Sequence, residues 1–220
     1  PHVSRHIAPN MLRQNYDLVV IGGGPVGVTA ALRGAALGYT TILIDATPPR
    51  QFQFTGPTGL FSKALRDSAL RLDIGTLRSM GIADVAIWAQ VNDFVQQILR
   101  KSGENNMQAL SLNRVPHLRG VGRLTGKFAA GRKRYEEEMG EGAYGVEGAC
   151  EVEVTFTGGG RAEGDKVALS TDNVLLATGS KALRLATLER WYSEAVGGHV
   201  RCHDSDSIKR LSFLPRSVVV

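Results

Sequence analysis

The stretch "DLVVIGGGPVG", residues 17–27, decides how the rest of the chain is read. Its opening "DLVVI" is an apolar, β-branched run with the length of a buried strand, and its glycines stand at Gly22, Gly24 and Gly27. That G-x-G-x-x-G spacing carries little information alone, because a chain with 26 glycines produces such turns by accident. Context gives it meaning. The residues after Gly24, "PVGVTAALRGAALG", place small side chains along one side of a helix that stops at Gly38, and "TTILI", residues 40–44, reads as a second strand ending on Asp45. Strand, tight turn, helix and strand, followed by an acid roughly 20 residues past the glycines, is the dinucleotide-binding fingerprint.

Each residue has a physical task in that reading. Gly22 permits the sharp turn, Gly24 lets the backbone approach a pyrophosphate with Pro25 beside it in the turn, and Gly27 lets helix and strand pack closely. The open helix N-terminus supplies unpaired N–H groups and the positive end of the helix dipole. Asp45 would accept hydrogen bonds from a ribose 2′-hydroxyl and repel a 2′-phosphate at the same place. The competing reading is a plain βαβ unit without a ligand.

Length and composition agree with a globular α/β protein. The chain has 220 residues, 43% of them hydrophobic, enough for one large domain or two small ones. No stretch is long and apolar enough to span a bilayer, and "PHVSRHIAPNMLRQN" has no apolar core, so a soluble, intracellular protein is expected. This opening has two Arg, two His and no acid before Asp17, which suits either a trimmed organelle-targeting peptide, plastid or mitochondrial, or a disordered tail. Two cysteines, Cys150 and Cys202, imply neither a disulfide framework nor a zinc site. The net charge of +5 comes from scattered basic residues with no nucleic-acid recognition motif, so a polyanionic cofactor is the simpler partner.

Further along, the prolines at 48 and 49 break the strand, and Ser62 is placed to cap a helix whose Leu65, Ala69 and Leu72 share one face. In "DVAIWAQVNDFVQQILRK", residues 84–101, Ile87, Val91, Phe94, Val95 and Ile98 form an apolar stripe behind Asp84 as N-cap, and Trp88 and Phe94 are assigned to core. "PHLRGVGRLTG" and "CEVEVTFT" read as antiparallel strands, the second with Val152, Val154 and Phe156 inward. The basic and acidic triplets of "GRKRYEEEMGEGAYGVEGA" between them read as a solvated loop. "NVLLATGS" is a buried strand, 174–177, running into Thr178 and Gly179, where a backbone turn can approach a cofactor. The expected fold is α/β: "YDLVVI", "TTILI" and "NVLLAT" side by side in a parallel sheet, with an antiparallel layer from the strands between Pro116 and Ser170 packed across it.

Four landmarks, "DLVVIGGGPVG", "SKAL", "GVGRLTG" and "VLLATGS", followed by "HDSDSI" and "LPRS", occur in one order. In that order the chain resembles the N-terminal FAD-binding portion of the pyridine nucleotide-disulfide oxidoreductases, the family of dihydrolipoamide dehydrogenase, mercuric reductase and soluble transhydrogenase. The resemblance implies a Rossmann-like domain with FAD at Gly22, Gly24, Pro25, Gly27 and Asp45, and with Thr178 and Gly179 closing over it. By the same matching Gly122 would lie near the adenine and Lys63 near the flavin ring, where its charge would stabilise the reduced ring. A solvated lysine at a helix start is the alternative for Lys63. The implied organisation is a flexible segment 1–16, an FAD-binding domain 17–213 and, at 214–220, the start of a truncated NAD(P)-binding domain. NAD(P)H and any homodimer contact would then belong to parts absent from this chain.

The departure from the family's pattern matters as much. Where the disulfide reductases carry a C-x4-C pair before "SKAL", this chain has Phe54 and Gly59, neither of which forms a thiolate. The five histidines form no pair at catalytic spacing, and His199, Cys202, His203 and Asp204 read as the loop before a further domain rather than as a metal site. No residue of this chain is assigned a catalytic role. Two functions stay open: a flavoprotein passing hydride directly between a nicotinamide and another acceptor, or a non-catalytic nucleotide-binding or interaction module descended from that fold.

Overall fold

A computed structural model describes residues 15–47, 59–129, 149–158, 161–180, 182–188, 195–196, 199–200, 202–204 and 211. The expectations for the opening segment, Phe54, most of the charged loop and 214–220 lie outside these residues. The chain divides into two compact units, 1–54 with 103–178, and 55–102 with 179–220.

The first unit is built on five strands, β1 (Asn15–Ile21), β2 (Thr41–Asp45), β3 (His117–Ala129), β4 (Ala149–Phe156) and β5 (Lys166–Leu176), with helix α1 (Pro25–Ala36) between β1 and β2. The three expected parallel strands are neighbours in the order β2, β1, β5, with Val20 paired to Leu43 on one side and to Leu175 on the other. The antiparallel layer is present as β3, β4 and β5, joined edge to edge with the parallel strands instead of packing across them. β3 begins as a parallel neighbour of β2 and continues antiparallel to β4, while β5 leaves β4 and ends parallel to β1, so the sheet closes into a barrel. The length of β3 and β5, 13 and 11 residues, makes this possible, because each has one end for each kind of neighbour.

Alternation along the strands separates two cores. Val19, Ile21, Ile42, Ile44, Leu118, Val152, Val154, Phe156 and Leu169 fill the barrel, with the inward set of β4 as its sequence predicted. Val20 and Leu43 point the other way, onto Val28 and Ala31 of α1 and onto Leu110 and Val115. Each such fully buried aliphatic chain contributes about 1.5–3 kcal/mol by leaving water. α1 approaches closely because it presents a small residue: a Cβ at Gly34 would stand 2.8 Å from the Thr41 hydroxyl and 2.9 Å from Leu18 Cδ2. The turn after α1 is tied to the start of β1, where Asp17 Oδ2 accepts from the Thr40 amide at 2.7 Å and from its hydroxyl at 2.6 Å.

The second unit contains α2 (Gly59–Arg71), α3 (Ile74–Ser79) and the first part of α4 (Asp84–Leu112), whose last part belongs to the first unit. α2 starts at Gly59, so Ser62 lies inside the helix rather than capping it. Its buried face carries Ala64 and Ser68, while Ala69 is exposed. α4 runs past residue 101 through Gly103, and its last part buries Leu110 among Val20, Leu43 and Val115. Asp84 is its first residue rather than its cap, and its carboxylate instead takes the Arg78 guanidinium at 2.7 Å. Trp88, Val91 and Val95 pack with Ala64, as the apolar stripe predicts, and the Trp88 indole N–H donates to the Leu211 carbonyl at 2.6 Å. Phe94 is only half-buried, with the Arg71 guanidinium 5.5 Å above its ring.

Candidate functional site

The glycine turn sits where β1 ends and α1 begins. Gly22 has φ +110°, a conformation reserved for glycine, and a Cβ there would run into the backbone of Ala177 and Thr178 at the end of β5. At Gly27 a Cβ would overlap the Gly22 carbonyl oxygen and come within 3.4 Å of Ala177 Cβ. Gly24 differs. It is the N-cap of α1 with φ −69° and ψ 180°, extended backbone open to any residue, and no side chain caps the helix. Pro25 follows at the first helical position, where its missing N–H costs nothing. Val28 N–H returns to the Gly24 carbonyl at 3.0 Å, and the N–H groups of Val26 and Gly27 have no intrahelical acceptor. An uncapped helix N-terminus at the carboxyl ends of two parallel strands is chemically suited to hold an anion.

Asp45 ends β2 beside this turn. One carboxylate oxygen accepts from the Gly23 amide at 2.5 Å, and the other from the Thr47 amide at 2.7 Å. Its parallel partner across the sheet is Arg119, whose Nε is buried and donates to no group among the described residues. The Arg119 guanidinium lies against Gly158, where a Cβ would stand 2.8 Å from its terminal nitrogen. The hairpin that carries Gly158 is fastened here as well: the Thr157 amide donates to the Arg119 carbonyl at 3.2 Å, and its hydroxyl to the Ala46 carbonyl at 3.2 Å. His117 precedes Arg119 by two residues on the same strand. Burial pushes its imidazole down to about 4 against the opposing pull of the Asp45 charge, so it is neutral at pH 7. Gly23, His117, Arg119 and Thr157 escaped the sequence reading: the register of β3 against β2 sets Arg119 beside Asp45 with His117 two residues before it, and Thr157 reaches Ala46 and Arg119 from the end of β4.

The remaining expected residues divide between the units. Thr178 follows β5 in the first unit and is exposed, and Leu175 and Leu176 before it are half-buried and exposed, where the sequence predicted a buried strand. Gly122 faces the barrel interior, where a Cβ would stand 3.0 Å from Ile21 Cδ1 and 3.2 Å from Cγ1, which gives this glycine a packing reason. Lys63, exposed on α2, and Gly179, with φ +74°, belong to the second unit. In that unit Asp204 pairs with Arg184 at 2.7 Å. Cys150 and Cys202 are free thiols. Among the described residues no cluster of three metal-ligating side chains occurs, and no helix is long and apolar enough to cross a membrane.

A glycine turn and helix N-terminus set between parallel strands, with an acid closing the second strand, define a Rossmann-like α/β fold. The chain belongs to the pyridine nucleotide-disulphide oxidoreductase family, whose model matches residues 16–220. It is 28% identical over 207 residues to the soluble pyridine nucleotide transhydrogenase of Pseudomonas putida strain W619, covering 94% of this chain and 38% of that protein. The enzyme of the same name from Pseudomonas fluorescens strain SBW25 is 27% identical over the same span. Among solved structures, LpdA of Mycobacterium tuberculosis superposes with a TM-score of 0.60 at 20% identity, over 92% of this chain and 38% of that one. The HOCl-induced flavoprotein disulfide reductase RclA of Escherichia coli follows at 0.52 and 14%, over 92% and 36%. The chain thus spans well under half the length of the relatives it matches.

Proposed function

We propose that this chain is the FAD-binding portion, centred on residues 17–213, of a flavin-dependent, NAD(P)-linked oxidoreductase that works without a redox-active cysteine pair. The observation that carries the reading is the uncapped N-terminus of α1 behind Gly22–Gly24, with the Asp45 carboxylate beside it. These residues fit a dinucleotide: Gly24, Val26 and Gly27 offer backbone N–H groups to a pyrophosphate, and Asp45 keeps lone pairs for ribose hydroxyls. On the family resemblance, Thr178 and Gly179 would line the approach at the end of β5 and Lys63 would stand near the flavin ring, whereas Gly122, turned onto Ile21, keeps its packing role. Bound FAD would supply a ring that accepts and returns hydride.

The chain has two cysteines, Cys150 and Cys202, and neither stands before "SKAL" in the sequence, which supports direct hydride transfer in place of dithiol exchange. NAD(P)H would dock on a part of a longer protein, and the name shared by the Pseudomonas relatives makes a second pyridine nucleotide the acceptor to test first. Adding FAD to the nucleotide-free protein should quench its fluorescence, and acid should release it unchanged. Unquenched fluorescence, or release of a nicotinamide dinucleotide instead, refutes the reading. Loss of the cysteine pair also favours the second possibility, a non-catalytic module; an FAD-loaded full-length protein that no nicotinamide reduces would establish it.

A further inference from the structure

We infer that Asp45 acts on the protein before it acts on a ligand: its carboxylate braces the glycine turn in the shape that leaves the N-terminus of α1 open. The inference rests on the dinucleotide reading above for its consequence, and on the geometry of the turn for its substance. Gly22, Gly23 and Gly24 are three consecutive residues with the greatest freedom to lose on ordering, and no side chain caps the helix that follows them. Something else must hold them. The Gly22 amide donates to the Ile44 carbonyl at 2.8 Å, and the Gly23 amide to Asp45 Oδ2 at 2.5 Å, so consecutive amides of the turn are held by consecutive residues of β2. Asp45 Oδ1 is in turn fixed by the Thr47 amide at 2.7 Å. An ionised carboxylate accepts at about four positions. Two are used by these amides, so ribose hydroxyls would join the brace without displacing it.

The side-chain length is part of the device. A glutamate would carry its carboxylate one methylene beyond the Gly23 amide, and an asparagine would turn an N–H2 toward one of the two amide donors. The test is amide hydrogen exchange of the protein without nucleotide, for the parent, Asp45→Asn and Asp45→Glu, with the β4 amides as the folding control. Exchange at Gly23 should accelerate at least about tenfold in both variants, the loss expected of a hydrogen bond to a charged group, while β4 stays protected. Asp45→Glu keeps the charge and answers the question if Asp45→Asn does not fold. Affinity is then measured for FAD and for an FAD analogue whose adenosine lacks both ribose hydroxyls. A brace makes Asp45→Asn weaken the analogue as well as FAD, with FAD losing the larger factor because it also loses its ribose contact. Unchanged Gly23 exchange, or weakened FAD binding with the analogue unaffected, overturns the inference. Accelerated exchange in a protein that binds neither ligand sustains the brace and removes the flavin reading.

Discussion

Gly27→Ala and Gly24→Ala should have opposite consequences, although both change a glycine of one short turn. At position 27 the new methyl group would overlap the Gly22 carbonyl oxygen and stand 3.0 Å from its carbon, where contacts of about 3.5–4.0 Å are comfortable. Neither neighbour can yield cheaply. The oxygen belongs to the backbone of a residue at φ +110° whose own position is wedged against Ala177, and α1 is held from behind by the close contact of Gly34 with Thr41 and Leu18. The cost therefore lies at the top of the overpacking range, about 3 kcal/mol or more, which for a chain of this size lowers Tm by roughly 6–12 °C. At position 24 the backbone is extended, so alanine is accommodated and loses less entropy on folding. Tm should hold or rise by about a degree or two, while FAD retention falls because the added methyl stands where a pyrophosphate must approach. Thermal unfolding followed by circular dichroism, with FAD fluorescence quenching on the same samples, separates the two. A Gly27→Ala protein that melts like the parent, or a Gly24→Ala protein that melts as early as Gly27→Ala, would refute the division of labour.

His117 takes its proton at 6.5 when unfolded and only at about 4 when folded. The unfolded chain therefore binds more protons between those values: stability is full above pH 6.5, declines as pH falls toward 4 by up to about 3 kcal/mol, and levels off below. Urea midpoints at pH 7, 6 and 5 should show that decline, and His117→Gln should flatten it. Trp88→Phe removes the indole donor from the Leu211 carbonyl and should lower Tm by roughly 2–4 °C, for a loss of about 1 kcal/mol; an unchanged melt would mean that water replaces the bond at no cost. In the full-length protein, changing Cys150 and Cys202 together to Ser should leave NAD(P)H oxidation within about twofold of the parent, less than half a kcal/mol, whereas loss of turnover would bring a thiol back into the electron path.

The βαβ unit, the glycine turn and its acid, the inward set of β4 and the family likeness are all legible in the order of the residues. These are local or patterned signals: residues 17–45 form one supersecondary unit whose turn, helix start and strand end follow from the residue types present. Helix limits were less legible. A serine at 62 and an aspartate at 84 both suit a cap, yet α2 already begins at Gly59 and α4 takes Asp84 as its first residue. The closure of the two kinds of strand pairing into one barrel was not legible, because nothing within "PHLRGVGRLTG" states that its first residues run beside β2 and its later ones beside β4. The same register sets His117 and Arg119 around Asp45. A shift of one residue would turn both into the barrel and bring Leu118 out, so these neighbours depend on pairing between residues far apart in the chain, which the period of a single strand does not contain.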